Sequence, residues 1–391
     1  MRIGITGNYG NQNQGDEAIL EGIIIQLEQT YPVEREDICV FTKTPEETRH
    51  KLGVMTHPLY ERTKTAPGSL MATIRQTMPV IRGLDMLIIG GGGILMDLYI
   101  NSTVIFAMYG WLARRAHVPA VIYGAGAGPI NTRAGKWLVK SLAGHADLVT
   151  VRDAPSKNLL ASIGVKQPVQ VIADPAFYVP APAQEYPADS RLAIGVTALP
   201  YFHSSYWPEE DTQKYNHYIE GMAANLDHLL AEQDQAVITF FATKYPQDLG
   251  AVRDIQALMQ YQDRTETQED FLTHRELLAL IEKQDLIIGT RLHSLILALA
   301  AAKPVMAVAY HQKVHAMMDR IDCAEASIHI ENVHINQHFF ADGCSRMAAD
   351  WETTRTRFRE RSEAMKYQEP RGMTLIQENI TGASRMRKQG S

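Results

Sequence analysis

The chain has 391 residues, more than one hydrophobic core usually fills, so two domains are expected. Apolar residues make up 45% and charged residues 21%, the balance of a globular protein rather than of a disordered one. A net charge of −6 argues against a general nucleic-acid binder, and no apolar run approaches the roughly 20 residues of a membrane span.

Residues 2–6 read as a short apolar strand. A polar, Gly-rich turn (7–15) follows, then a helix over 18–27 with Ile and Leu at three- and four-residue spacing. A second strand is expected at 37–41. Residues 86–89 form a buried-looking strand that ends in Gly90-Gly91-Gly92-Gly93. The strand at 118–123 runs into Gly124-Ala125-Gly126-Ala127-Gly128-Pro129, and the one at 148–151 exits into Arg152-Asp153. Strands alternating with helices predict a parallel sheet covered on both faces.

The texture changes over residues 173–191, which are dense in proline and carry no helical or strand period, as in a semi-rigid linker. The strand pattern restarts at 192–196, 236–241, 286–289 and 305–309. Residues beyond about 350 read as polar helix, with a frayed end expected at the terminus. The expected organisation is an N-terminal α/β domain (1–180), a C-terminal α/β domain (190–350) and a helical tail (351–391). Two Rossmann-like α/β domains joined by a linker would leave a cleft between two rows of strand ends, the outline of a GT-B-like architecture.

Residues 285–313 carry the strongest chemical signal. In Gly289-Thr290-Arg291-Leu292-His293, an arginine and a histidine stand two residues apart where an aliphatic strand gives way to a helix, and Lys313 follows the next strand. Strand ends of open α/β sheets are where ligands bind. Fixed positive charge beside a proton-transfer group suits a small anion undergoing acid–base chemistry. The plainer reading is a buried, hydrogen-bonded histidine and a solvated lysine.

The first turn, Gly7-Asn8-Tyr9-Gly10-Asn11-Gln12-Asn13-Gln14-Gly15-Asp16-Glu17, lacks the Lys-Ser/Thr pair of a Walker loop and is not a clean dinucleotide fingerprint. It reads either as a turn with Asp16 capping the next helix, or as a site where Asn11, other amides and Asp16 meet sugar hydroxyls. Asp16 or Glu17 as a base would be weakened by the helix N-terminus, which lowers a carboxylate's pKa. Gly91 and Gly92 let backbone approach either a ligand or another element. Arg152 at its strand exit is either a surface ion pair or a bidentate fork for an anion. His293, His311 and His315 have no accompanying carboxylate or cysteine pattern, so no metal site is expected. Three widely spaced cysteines fit a reducing compartment, and the immediate N-terminal strand leaves no room for a signal peptide; a cytoplasmic protein is expected.

Together, Gly7-Asn8-Tyr9-Gly10, Gly15-Asp16-Glu17-Ala18, the Gly90-Gly91-Gly92-Gly93 run, Tyr123-Gly124-Ala125-Gly126, Val151-Arg152-Asp153, Asp174-Pro175-Ala176 and the Arg-Leu-His segment with Lys313 resemble the polysaccharide pyruvyl transferase family. The resemblance implies a GT-B-like enzyme that moves the enolpyruvyl group of phosphoenolpyruvate onto a sugar, usually as a cyclic ketal on two hydroxyls, with no cofactor. It makes His293 the acid/base and Arg152, Arg291 and Lys313 the anion clamp. Asp16, Asn11, Gly91 and Gly92 become substrate contacts, with Tyr9, Asn13, Asp97 and Tyr99 further ones on the acceptor side. The first domain is then the acceptor side and the second the phosphoenolpyruvate side. The implied acceptor is a sugar or lipid-linked glycan of the cell envelope or an exopolysaccharide, handled at the inner face of the membrane. Peripheral membrane contact is compatible with this, although no strong basic amphipathic helix stands out in the sequence.

Two other functions fit the same architecture: a GT-B glycosyltransferase with a nucleotide-sugar donor, and a non-catalytic sugar- or phosphate-binding protein. The Arg, His and Lys of the second domain, where a nucleotide-sugar enzyme often carries acidic residues, favour a compact anion. The acceptor sugar, its hydroxyl pair, the ketal stereochemistry and the oligomeric state are not legible in the sequence.

Overall fold

A computed structural model describes residues 1–98, 100–182, 191–205, 207, 209–367 and 371–381. Tyr99, one of the residues expected on the acceptor side, lies outside them, as do residues 183–190 of the proline-rich stretch. The described start of that stretch is not a free linker, because Pro175, Ala176 and Phe177 are buried in a short helical turn (Pro175–Tyr178) capped by Asp174. The chain divides into two compact units. The first comprises Met1–Asn11, Asp16–Val179 and Tyr367–Ser391; the second comprises Gln12–Gly15 and Pro180–Lys366.

In the first unit, seven parallel strands are ordered β3-β2-β1-β4-β5-β6-β7: β1 (Ile3–Thr6), β2 (Ile38–Thr42), β3 (Met55–Pro58), β4 (Met86–Gly90), β5 (Ala120–Ala125), β6 (Leu148–Val151) and β7 (Val169–Val171). The central strands are aliphatic at successive positions because both faces are covered, and every residue of β1, β2, β4, β5 and β6 is buried. Six helices connect them: α1 (Gln14–Thr30), α2 (Pro45–Leu52), α3 (Ala66–Arg82), α4 (Ile100–Arg115), α5 (Arg133–His145) and α6 (Ala154–Ser162). Thr132 caps α5 by accepting from Gly135 N, and Asp153 caps α6 by accepting from Ser156 N at 2.7 Å. The helix after the first turn thus starts at Gln14, four residues before the apolar periodicity begins. Asp16 therefore sits inside its first turn rather than at the N-cap.

In the second unit, six parallel strands are ordered β10-β9-β8-β11-β12-β13: β8 (Leu192–Thr197), β9 (Ala236–Phe240), β10 (Thr265–Thr267), β11 (Leu286–Gly289), β12 (Val305–Ala309) and β13 (Ser327–His329). Its helices are α7 (Thr212–Glu232), α8 (Gln247–Leu258), α9 (His274–Glu282), α10 (Leu292–Ala300), α11 (Gln312–Arg320), α12 (Phe339–Ala348) and α13 (Trp351–Lys366). Of residues 351–391, α13 belongs to this unit. The segment from Tyr367 belongs to the first, where α14 (Gly372–Ile376) brings Gly372 so close to Tyr123 that a Cβ there would strike the phenol.

Each unit is a Rossmann-like domain, and each sheet reverses its order once, at β1/β4 and at β8/β11. Reversal points open a crevice at the carboxyl ends of the strands, where ligands of such sheets bind. Among the described residues, no helix is long and apolar enough to cross a membrane.

Candidate functional site

At the reversal point of the first sheet, three Gly-bearing turns meet α1. Tyr9 is fully buried and donates to Gly90 O at 2.6 Å, which ties the turn after β1 to the end of β4. Burial, then the charges of Asp16, Glu17 and Asp174, push its pKa well above the ordinary tyrosine value, so it remains a neutral donor. Asn8 Nδ2 donates to Asp16 Oδ2 at 2.9 Å. Gly91 and Gly92 both adopt positive φ, +75° and +65°. A Cβ on Gly92 would overlap Asp16 Oδ1, and one on Gly91 would overlap Ile19. The glycines therefore admit the Asp16 carboxylate and α1 against the backbone that leaves β4.

Asn11 is engaged within its own loop: its Nδ2 donates to Asn8 O and Oδ1, and Lys43 Nζ donates to its Oδ1 at 2.7 Å. Arg152, at the exit of β6, is buried. It donates from Nη1 to Asp174 Oδ2 at 2.9 Å and lies 3.7 Å from Asp153 Oδ2 through Nε. Burial lowers its pKa, but Asp174, Asp153 and more distantly Asp16 outweigh it, and the net direction is up. The guanidinium lies against Gly126, where a Cβ would stand 3.1 Å from Nε and Nη2. Asp97 accepts from the backbone N–H groups of Asn131 and Thr132. Burial raises its pKa, yet those hydrogen bonds win and hold it below the usual range.

In the second unit, Thr290 Oγ1 donates to Thr197 O at 3.0 Å, while Ser294 Oγ donates to Arg291 O at 2.6 Å and stands 2.8 Å from Thr197 Oγ1. These bonds fix the start of α10 at the end of β8. Tyr218 reaches Thr290 Oγ1 at 3.3 Å, and its burial pushes its pKa up to about 12. Arg291 is the N-cap residue of α10, and its side chain is buried on Asp248, in the first turn of α8. His293 is half-buried in the first turn of α10. A Cβ on Gly15 would overlap its Cγ and Nδ1, so the absence of a side chain at Gly15 leaves room for the imidazole. Gln14 N donates to Thr243 O at 3.1 Å and Asn13 bridges to Lys244, anchoring this short segment in the second unit.

Lys313 is half-buried in the first turn of α11, with its backbone N–H directed at His311 Nδ1 at 3.2 Å. β11 and β12 are neighbours, with Gly289 opposite Ala307, so α10 and α11 start from adjacent strand ends. Beside them stands an aromatic wall: Trp207 stacks on Phe202 at 4.9 Å and meets Tyr310 edge-on at 6.3 Å. The structure thus brings Arg291, His293 and Lys313 to the carboxyl ends of the strands of the second unit, and Asp16, Gly91, Gly92 and Arg152 to the carboxyl ends of those of the first. Asn11 belongs to the wall of its loop. Nothing local in the sequence marks Asp248 or the aromatic wall, and Asp174 in Asp174-Pro175-Ala176 gains a role only through its ion pair with Arg152. His315 stands apart from His293, stacked on His329 at 5.9 Å.

The family model for polysaccharide pyruvyl transferase matches residues 13–312. The chain belongs to the polysaccharide pyruvyl transferase family. It is similar to the amylovoran biosynthesis protein AmsJ of Erwinia amylovora, 23% identical over 379 residues, covering 85% of this chain and 89% of that protein. Among solved structures, it is similar to S. aureus MnaA in a co-structure with UDP (16% identity, TM-score 0.63, 98% of this chain and 97% of that one). It is likewise similar to UDP-GlcNAc 2-epimerase of Neisseria meningitidis (12% identity, TM-score 0.65, 98% and 100%). At these identities the likeness concerns the fold, which is GT-B-like, as the strand pattern predicts. Membership of the family makes the chain a transferase of polysaccharide pyruvylation.

Proposed function

We propose that this protein transfers the enolpyruvyl group of phosphoenolpyruvate to two hydroxyls of an exopolysaccharide or cell-envelope glycan, forming a cyclic pyruvyl ketal. The observation that carries the reading is the placement of His293 and Lys313 in the first turns of α10 and α11, at the ends of adjacent strands. Helix N-termini and a lysine favour an anion, and an imidazole titrates in the range needed to give and take a proton.

In this reading a proton goes to the methylene carbon of phosphoenolpyruvate, and the C2 centre becomes oxocarbenium-like. A sugar hydroxyl forms a C–O bond to C2 and releases its proton. The C2–O bond to phosphate then breaks, and a second hydroxyl closes the ring. Of the two hydroxyl protons, one ends in the new methyl group and the other on phosphate, so the ketal and inorganic phosphate balance the substrates. His293 moves the protons, and Lys313 with the amides of both helix starts stabilises the phosphate. Arg291 turns its guanidinium onto Asp248, so its part is to hold the start of α10 in place. In the first unit, Asp16 accepts a proton or hydrogen bond from an acceptor hydroxyl, while Arg152 holds the Asp174 carboxylate at the exit of β6.

Phosphate release from phosphoenolpyruvate in the presence of a glycan panel tests this, with mass spectrometry of the acceptor. The expected result is acceptor-dependent release and a mass gain of one pyruvyl ketal. UDP accompanies one structural relative and UDP-GlcNAc is bound to the other, so turnover of a nucleotide-sugar with silence toward phosphoenolpyruvate would instead make this chain a glycosyltransferase. Binding of phosphoenolpyruvate with no product from any glycan would favour a binding protein.

A further inference from the structure

The helices on the two faces of the first sheet differ in charge. On one face, α1 carries Asp16, Glu17, Glu21 and Glu28 and no Lys or Arg, and α2 is mixed, with Glu46 and Glu47 against Arg49 and Lys51. α3, α4, α5 and α6 carry Lys and Arg and not one Asp or Glu, in a chain whose net charge is −6. Each of these four leads to a strand nearer the β7 edge, and right-handed crossovers put all four on one face. α4 packs beside α5, where a Cβ on Gly110 would meet Leu142 at 2.8 Å, and α3 packs beside α4. The result is one continuous basic layer.

Large apolar side chains stand exposed among these cations. Trp137 is 65% exposed, Met71 65% and Trp111 43%. On α5, residues Arg133, Lys136, Trp137 and Lys140 are all exposed, while Gly135, Val139, Leu142 and Ala143 face the core. Arg114 and Arg115 at the end of α4 are explained by the helix dipole, which favours cations at that end. Arg133 and Lys136 are not: they lie in the first turn of α5, where the dipole disfavours positive charge, and the Asp97 carboxylate at that end is taken up by the N–H groups of Asn131 and Thr132. Among the described residues, no carboxylate lies within salt-bridge reach of Arg133, Lys136 or Lys140. The sequence reading does not single out α5 because Gly135, Ser141 and Gly144 blur its period; the basic face becomes visible once the buried side is known.

We propose that this layer docks on an anionic lipid bilayer, with Trp137 and Trp111 at the headgroup level and Arg133, Lys136 and Lys140 on the lipid phosphates. Exposed tryptophans flanked by lysine and arginine match the amphipathic boundary of a bilayer, where the ring buries its body and the cations find anionic lipid. A nucleic acid or an acidic protein would satisfy the charges without using an exposed Met71 or two separated indoles in this way. The proposal holds whichever reaction the chain performs.

Sedimentation of the full chain with vesicles of phosphatidylcholine, alone or mixed with phosphatidylglycerol, tests it. Binding is expected only to the mixed vesicles and should weaken as salt rises. Combined Arg133→Glu, Lys136→Glu and Lys140→Glu should reduce it by at least about tenfold. Trp137→Ser alone should reduce it severalfold with its salt dependence intact, and this keeps the test decisive should the triple variant fold poorly. Equal binding to both vesicle types overturns the proposal, as does wild-type binding by folded triple and Trp137 variants. Binding to heparin or duplex DNA with no retention on mixed vesicles overturns it in favour of a polyanion site.

Discussion

Arg291 and Asp248, 43 residues apart in sequence, form a buried fork. Arg291 Nε and Nη2 approach the same carboxylate oxygen, Oδ1, at 3.1 and 2.5 Å, and Asp248 Oδ2 accepts from Lys244 N at 2.9 Å. One ion pair therefore joins the start of α10, where His293 stands, to the start of α8 and to the turn after β9. The arginine that the sequence marks as part of an anion clamp is tied to a carboxylate of its own protein.

Removing one member of such a pair leaves a buried charge without its partner. Asp248→Asn is expected to cost about 3 kcal/mol of stability, measured by urea unfolding, and to lower turnover as α10 shifts. The double change Arg291→Met with Asp248→Leu should restore much of the stability but not the activity. Additive losses in the double variant would show that the two side chains act independently.

Gly15 is the sharpest probe of His293. Alanine is the better helix former and Gly15 lies in the first turn of α1, so Gly15→Ala should stay folded, while its methyl group displaces the imidazole. A displaced catalytic group typically costs about a hundredfold in rate. Turnover of phosphoenolpyruvate in Gly15→Ala should therefore fall toward that of His293→Ala, and Lys313→Ala should be similarly impaired. Full turnover in a folded Gly15→Ala or His293→Ala would remove the histidine from the mechanism.

What the sequence made legible follows from burial. β1, β4, β6, β8, β11 and β12 lie inside their sheets and read as aliphatic runs. The edge strands β3 (Met-Thr-His-Pro), β7 (Val-Gln-Val), β10 (Thr-Glu-Thr) and β13 (Ser-Ile-His) are short and half-exposed, and escape any periodicity argument. The Gly-rich turns were visible because glycine takes the positive φ of Gly91 and Gly92 without strain and leaves room there for Ile19 and Asp16. The partners of Arg152 and Arg291 were not, because an ion pair between loops 22 or 43 residues apart leaves no local pattern. The same holds for the basic layer, whose charges lie on separate helices and join only when the sheet brings them side by side.

His315 gives the second unit a pH dependence with a definite sign. Burial, then the charge of His329, lowers its pKa from the ordinary 6.5. The folded state therefore binds its proton less readily than the unfolded chain. Its contribution to stability is fully present above about pH 6.5 and is lost as pH falls through 6.5 toward the depressed folded value. Melting temperatures from pH 8 to about pH 5 should decline less steeply for His315→Gln than for the wild-type chain. Identical slopes would mean that His315 titrates in the folded protein as it does unfolded.

Asp16 and Gly92 separate binding from chemistry in the first unit. Gly92→Ala forces an L-residue into a left-handed conformation, a cost of about 1–2 kcal/mol, and its methyl group evicts the carboxylate that Asn8 holds. Asp16→Asn keeps the shape and removes the charge. If Asp16 accepts the acceptor hydroxyl's proton, Asp16→Asn should lower kcat at least about tenfold, with the KM for phosphoenolpyruvate unchanged. Gly92→Ala should add a loss of stability to that same kinetic defect. An Asp16→Asn variant that raises only the KM for the glycan would make the carboxylate a hydrogen-bonding contact for the acceptor, and the base would have to be sought elsewhere.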